Sequence, residues 1–522
     1  MRAAPDGGAG GSAFATSFAG MSTLEPQRIA RRWTRFGGVF SLRTELTLGQ
    51  SGVRPPRPQL RFKRVQWRGA SAAMTLRQLF GSAYLAYHLR GQARYPFQPL
   101  DVIRRDQSRR LRATVAYAYR YVPFYREALD RLGLRPDDFR TAEDLARLPL
   151  IGTPEYQRDP ERFLSTARPG ESYLGIRTSG SAGLPRTIYH DWREIAQNAA
   201  HAERDRVLVA DLLGHPPTYR ETVIKSSPTA STPRLLQQKL REHVWMPARV
   251  GIQRQYLDVF APVEANVAAM NEFRPDVLHV NGSYLALLFG YLHRTGVACH
   301  LPRAVTYGSE GASEGIRRLI MEEFGVPVLS AYQTSEAFKL GFECDQHRGY
   351  HLNLDLYPLR VVDPAGRTLP PGETGEVVIS NLVSRATVLL NYRPCDLGAL
   401  LPEPCPCGRT LPLLSYLRGR SRDFLCLDSG RVVHPAAIDN PLTAEPGLWQ
   451  HQVVQESGSR VSVALVGAPG LDREAARQHV LSAIQAACGE EVTIEISFVK
   501  AIPSTPGGKV PPIIALPEDT AR

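Results

Sequence analysis

Val326-Pro327-Val328-Leu329, followed by Ser330-Ala331-Tyr332-Gln333-Thr334-Ser335-Glu336, is the stretch that decides the architecture. Its first four residues are apolar, and the run follows a glycine, so they read as a buried strand. Ala331–Glu336 then falls at the strand's C-terminal end, where open α/β sheets bind ligands. Tyr332 offers a stacking face for a base. Thr334 and Ser335 offer hydroxyls, and Glu336 a carboxylate suited to Mg²⁺ near phosphates. Taken alone, the same residues read as a polar loop that caps a helix.

Outward from this stretch the pattern alternates. Val277–Val280 and Ala304–Tyr307 are strand-like, and Gly315–Phe324 has helical character. Such alternation predicts a mainly parallel sheet covered by helices. Upstream, Leu111, Val115, Tyr117 and Ala118 recur at helical spacing until Pro123, with further short helices expected at 125–133 and Thr141–Leu148. Downstream, Glu376-Val377-Val378-Ile379 is strand-like. A break at Arg418–Asp423 is followed by strands at Gln452–Gln455 and Arg460–Val466, a helix at Asp472–Ala487 and a strand at Glu491–Val499. The expected fold is a large multi-sheet α/β domain, residues 76–419, and a small mobile α+β domain, residues 420–522.

The net charge of +12 is carried unevenly. Residues 1–75 hold twelve basic side chains against Asp6, Glu25 and Glu45, and so supply nine of those charges. The remainder is nearly balanced, which argues against a nucleic-acid groove. The 1–75 segment is expected to be a disordered basic extension. No apolar run approaches the ~18 residues of a membrane span. Seven cysteines among 522 residues are too few for a disulfide scaffold, so a reducing cytoplasm is expected. Only six lysines stand against 57 arginines, so a lysine in a special setting carries information.

Four further stretches carry chemistry. Thr178-Ser179-Gly180-Ser181-Ala182-Gly183-Leu184-Pro185-Arg186 combines hydroxyls with glycines that let backbone N–H groups wrap an anion, although such runs also serve as flexible turns. Asp396, in Tyr392-Arg393-Pro394-Cys395-Asp396, places a carboxylate after a tight turn, where its two oxygens suit a ribose diol. Arg420 lies on the interdomain link beside Gly419. Lys509 ends the Gly/Pro-rich run Ile502–Gly508, suited to delivering a mobile ammonium to a reaction centre.

Together and in this order, the five stretches resemble the adenylate-forming superfamily of acyl-CoA synthetases and adenylation domains, over roughly residues 100–515. Ala116–Tyr125 and Ala142–Pro149 are similar to the phenylacetate–CoA ligase-like branch. The resemblance implies ATP-dependent activation of a carboxylic acid as acyl-AMP, then thioester formation with coenzyme A. The acid would be aromatic or arylalkyl, the enzyme cytoplasmic, and a homodimer is implied at family level. It implies that Thr178, Ser179, Gly180, Ser181 and Gly183 hold the β/γ-phosphates of ATP and that Tyr332 lies on adenine. Ser335 would touch the α-phosphate, Glu336 bind Mg²⁺, Asp396 hold the ribose, and Arg420 the ribose or phosphate. Lys509 would bridge the reacting carboxylate and phosphate.

The sequence departs from that pattern at Ala182, where Thr is usual, at Arg186 for Lys, at Gln333 for Gly, and at Val510-Pro511-Pro512, where a basic residue is common. Two other readings follow: an adenylating enzyme that uses an amine, hydroxyl or carrier-protein thiol as acceptor, and a nucleotide-binding homologue with weak turnover. The acid pocket is expected between about 225 and 310, with His243, Trp245, Tyr284 and Tyr307 as candidates.

Cys344, His351, Cys405 and Cys407 form a Cys₃His set suited to structural Zn²⁺, with His347 as a rival ligand and Cys395 nearby in sequence. Three buried free thiols are the competing reading. The branch often carries the same Cys…His…Cys-x-Cys pattern.

Overall fold

The computed structural model describes residues 74–177, 186–226, 231–245, 251–417, 419, 423–505 and 508–516. The chain divides into Met1–Ser71 and a compact unit, Ala72–Arg522. The architecture is that of the second unit. The readings for residues 1–73, for Thr178–Gly183 and for Arg420 fall outside the described residues.

Helix Leu76–Leu89 opens at Thr75, whose side chain and that of Gln78 cap each other's backbone N–H. Helix Leu100–Tyr121 buries Ile103, Leu111, Val115 and Ala118, the spacing expected of one helical face. Pro123 does not merely end that helix. It occupies the first turn of the next, Pro123–Leu132, where its missing N–H costs nothing. The third expected helix is a 3₁₀ segment, Ala142–Arg147, held at its start by Asp144.

Strands β1 (Leu174–Arg177) and β2 (Thr187–His190) form an antiparallel pair. The main sheet follows with β3 (Thr218–Lys225), β4 (Gly251–Asp258), β5 (Val277–Asn281), β6 (Ala304–Gly308) and β7 (Val328–Thr334), neighbours in the order β7-β6-β5-β3-β4 and all parallel. Their C-terminal ends therefore share one edge. β8 (Phe338–Glu343) and β9 (Tyr350–Leu352) extend the sheet antiparallel. A separate sheet of β10 (Leu359–Val362), β11 (Gly375–Ile379) and β12 (Leu397–Gly398) follows, and β13 (Leu413–Leu414) closes the main sheet beside β9. Helix Gly282–Thr295 packs over β5 and β6 in a core with Leu278, Val305, Leu285 and Phe289.

One expectation needs correction and another is refined. Strand β7 begins at Val328 rather than Val326, since Pro327 donates no ladder hydrogen bond, and it runs through Thr334. Ala331–Thr334 is therefore strand and not loop, because antiparallel pairing with β8 satisfies its backbone. The expected helix Gly315–Phe324 is a single α-turn segment, Glu314–Arg318, passing into a π-helical turn at Leu319–Glu323.

After the short pair β14 (Leu425–Cys426) and β15 (Val432–Val433), β16 (Leu448–Ser457), β17 (Arg460–Gly467), helix Arg473–Cys488 and β18 (Thr493–Phe498) follow the β-β-α-β order read from the sequence. A short strand β19 (Ile513–Ile514) joins the far side of β16 in parallel. These elements enclose their own core of Val453, Val463, Leu465, Val480 and Ile484. They also dock on the main sheet's helices. Trp449, Ile502 and Val510 enter the core beside Phe289, and Ser313 Oγ donates to the carbonyls of Leu448 and Trp449 at 3.1 and 2.7 Å. Gly315 permits this approach. A Cβ there would lie 2.5 Å from the Leu448 carbonyl oxygen, a backbone atom unable to yield.

Candidate active site

The hairpin from β7 to β8 aims the first group of side chains. Its turn, Ser335–Ala337, ends at Phe338, which has φ of 53°, an uncommon left-handed conformation for a bulky residue. A register irregularity lies between Tyr332 and Gln333, so the strand is locally bulged beside the turn. The Ser335 carbonyl lies 3.0 Å from His190 Nε2 in β2. The Glu336 carbonyl accepts from Asn381 Nδ2 at 2.8 Å.

The buried Glu336 carboxylate is held by charge. Its Oε1 accepts from Arg186 Nη2 at 2.5 Å and Nε at 3.1 Å, and from the Tyr392 hydroxyl at 3.3 Å. Arg186 thus joins the residue range read as a phosphate loop to the carboxylate read as a Mg²⁺ ligand. Tyr332, buried, donates from its hydroxyl to Asp396 Oδ2 at 2.7 Å. Cys395 adopts φ of 69°, the tight turn expected before Asp396. The two residues read for adenine and ribose therefore stand side by side.

Lys509 reaches the sheet's C-terminal edge on a loop anchored at two points. Asn281 Nδ2, at the end of β5, donates to the Gly508 carbonyl at 3.0 Å. Val510 N donates to Glu310 Oε2 at 3.2 Å. Gly508 has φ of 71°, and a Cβ there would meet Val259 at 2.6 Å, so glycine alone fits this docking. Glu310 Oε1 also accepts from Ser283 Oγ and N. Burial pushes the Glu310 carboxyl up, against those hydrogen bonds and the charge of Lys509.

Residues that sequence reasoning passed over complete this edge: Lys225, Asn281 and Glu310. Lysine scarcity was the available signal for Lys225. Asn281 and Glu310 have no local signature, because their importance comes from strand ends meeting the C-terminal loop. The expected pocket residues divide. Tyr284 lines a cleft with Ser283, Ile502, Ser504, Gly508 and Val510. His243 instead stacks on Trp192 at 4.8 Å between ring centroids, Trp245 is exposed, and the Tyr307 hydroxyl accepts from Arg317 at 2.6 Å in a buried network. Helix Thr232–His243, which carries His243, packs on Leu76–Leu89.

A second cluster lies beyond β8. Cys344, His351, Cys405 and Cys407 bring one donor atom each to within 4.8 Å of one another. Cys344 Sγ is 3.7 Å from Cys405 Sγ, and His351 Nε2 is 3.4 and 3.3 Å from Cys344 and Cys407 Sγ. Thiolates bound tetrahedrally at ~2.3 Å would be about 3.8 Å apart, so the set fits zinc. His351 Nδ1 faces the Leu411 carbonyl at 3.4 Å, leaving Nε2 toward the sulfurs. His347, the rival ligand, turns to Glu343 Oε1 at 2.7 Å. Cys395 lies outside the set.

Comparison with known proteins gives the family. Residues 425–515 match the CapK C-terminal domain. Phenylacetate–coenzyme A ligase of Thermus thermophilus is 30% identical over 380 residues, 69% of this chain and 80% of the relative. The same-named enzyme of Escherichia coli is 27% identical over 375 residues, 67% and 78% of the two chains. The fold is similar to 2-hydroxyisobutyryl-CoA ligase in the postadenylation state, with a TM-score of 0.62, 20% identity, and coverage of 79% of this chain and 90% of that one. No helix among the described residues is long and apolar enough to cross a membrane. The chain belongs to the phenylacetate–coenzyme A ligase family of adenylate-forming, AMP-releasing acid–thiol ligases.

Proposed function

We propose that this protein activates a carboxylic acid, aromatic or arylalkyl, with ATP and transfers the acyl group to coenzyme A. A carboxylate oxygen attacks the α-phosphorus of ATP, the bond to pyrophosphate breaks, and acyl-AMP forms. The thiol sulfur then attacks the acyl carbon. AMP leaves and the thiol proton passes to solvent. Family membership supports this reaction class. The observation that carries it to this chain is the docking of Gly508–Val510, and with it Lys509, on the sheet edge that also ends in the Tyr332–Glu336 hairpin.

In this reading Tyr332 and Asp396 receive the adenosine, and Ser335 meets the α-phosphate. Lys509 offsets the repulsion between the carboxylate and phosphate. Glu336 would hold Mg²⁺, which when bound offsets phosphate charge. Thr178, Ser179, Gly180, Ser181 and Gly183 would take the β/γ-phosphates, and Arg420 the ribose or phosphate. The domain from 420 onward would rotate between half-reactions. Cys344, His351, Cys405 and Cys407 would hold a structural zinc that ties the segment after β8 to the chain before β13. Among the described residues the cysteines form no disulfide, in keeping with a reducing cytoplasm.

Acid-dependent ATP–pyrophosphate exchange across a carboxylic acid panel tests the reading, with Lys509→Ala as control. Exchange that is lost in the variant, with acyl-CoA formed on adding CoA, is the expected result. AMP release without acyl-CoA would instead indicate another acceptor. No exchange with any acid would overturn the proposal.

A further inference from the structure

The proposed reaction gives Lys509 a role and leaves Lys225 without one. Lys225 ends β3, opposite Asp258 of β4, on the edge where Lys509 docks. Its ammonium donates to Asn281 Oδ1. Among the described residues that amide oxygen is its one hydrogen-bond partner, although an ammonium carries three donors. Asn281 uses its other end on the Gly508 carbonyl. A single amide therefore separates Lys225 from the loop that carries Lys509.

Among the described residues no carboxylate forms an ion pair with Lys225. Glu310 is the acid near both lysines, and its oxygens are taken by Ser283 and the Val510 N–H. Burial, reinforced by repulsion from Lys509 and opposed by Glu310, holds the Lys225 ammonium down at about 7. Lys225 is half-buried at this edge. A reacting acid brings one carboxylate, which Lys509 would meet. Lys225 then still lacks a contacting anion among the described residues.

We propose that Lys225, with Asn281, recognises a second anionic group on the acid, so that the preferred substrate carries two carboxylates. One is activated at Lys509 and the other is bound, unreacted, at Lys225. This inference rests on the adenylation reading and narrows its substrate class.

Matched pairs of acids provide the test: phenylacetate with 4-carboxyphenylacetate, and hexanoate with adipate, each in ATP–pyrophosphate exchange. The full-length protein is expected to favour the diacid of at least one pair by tenfold or more in kcat/KM. Lys225→Met should remove that preference by raising KM for the diacid, leaving KM for ATP unchanged. Lys225→Arg should retain part of it. Equal use of mono- and diacids by the unmodified protein would overturn the inference even if Lys225→Met failed to fold. Equal loss on both acids in Lys225→Met would overturn it as well, since Lys225 would then serve the reacting carboxylate or the loop. Exchange with monoacids alone overturns the inference and leaves the adenylation reading standing. Absence of exchange with every acid overturns both.

Discussion

The Tyr332 hydroxyl donates to Asp396 Oδ2 at 2.7 Å, joining a β7 residue to one that follows a left-handed turn 64 positions later. The bond fixes the ring and the carboxylate relative to each other before any nucleotide arrives. Hydrogen bonds to a charged group contribute about 1.5–3 kcal/mol. Asp396→Ala should therefore weaken AMP binding roughly ten- to hundredfold, and Tyr332→Phe less, as read by calorimetry. Unchanged affinity in Asp396→Ala would remove it from the ribose site.

Arg186 and Glu336 form an ion pair, which a magnesium ion held by Glu336, as proposed, would share or displace. Glu336→Gln should raise the Mg²⁺ concentration that half-saturates exchange, by about tenfold for a loss near 1.4 kcal/mol. Arg186→Ala frees the carboxylate and should lower that concentration, provided the variant still binds ATP. A Mg²⁺ dependence identical in all three proteins would contradict the assignment.

Lys509→Ala should cut exchange about 10²- to 10³-fold, the effect typical of losing one preorganised donor to a developing charge. Thioester formation from supplied acyl-AMP should fall far less, because that step joins no two anions. Comparable losses in both half-reactions would argue for a general structural role.

Protein purified without chelator should contain about one zinc per chain, measured by elemental analysis. Cys405→Ser and Cys407→Ser should lose the metal and lower the melting temperature, as should prolonged chelation. Full occupancy in Cys405→Ser would exclude that ligand set.

Asp355 and Arg204 form a buried bidentate pair, with oxygens 2.7 and 2.9 Å from Nη1 and Nη2. Burial alone would raise the Asp355 carboxyl, but Arg204 outweighs it and holds the carboxyl low. A depressed carboxyl contributes stability above its unfolded value of about 3.9, and that contribution fades as pH falls below it toward the folded value. Asp355→Asn should cost about 3–5 kcal/mol at neutral pH, because a buried guanidinium loses its partner. In denaturant titrations the gap between variant and parent should narrow below about pH 4. A gap that stays constant from pH 7 to pH 3 would refute the linkage.

Short-range pattern was enough to read the strands at Val277, Ala304 and Glu376, the long helix ending at Tyr121, and the β-β-α-β order after Asp423. In each, apolar period or a Pro acts over a few residues, and the local and tertiary preferences agree. The same local logic misread Ala331–Thr334, since a polar stretch looks like loop until β8 is seen to pair with it. The 3₁₀ and π-helical turns were likewise beyond pattern, because apolar spacing over so few residues does not distinguish them from α-helix.

By itself the sequence determined the superfamily, the order of the chemical stretches and the Cys₃His donor set, because each resides in residue type and spacing. Only the tertiary structure decided which of those residues meet. It set Arg186 on Glu336 and Tyr332 on Asp396, sent His347 away from the cysteines, and brought Lys225, Asn281 and Glu310 under the Lys509 loop. Parallel strands separated by dozens of residues end on a common edge, and no local signal records which side chains share it.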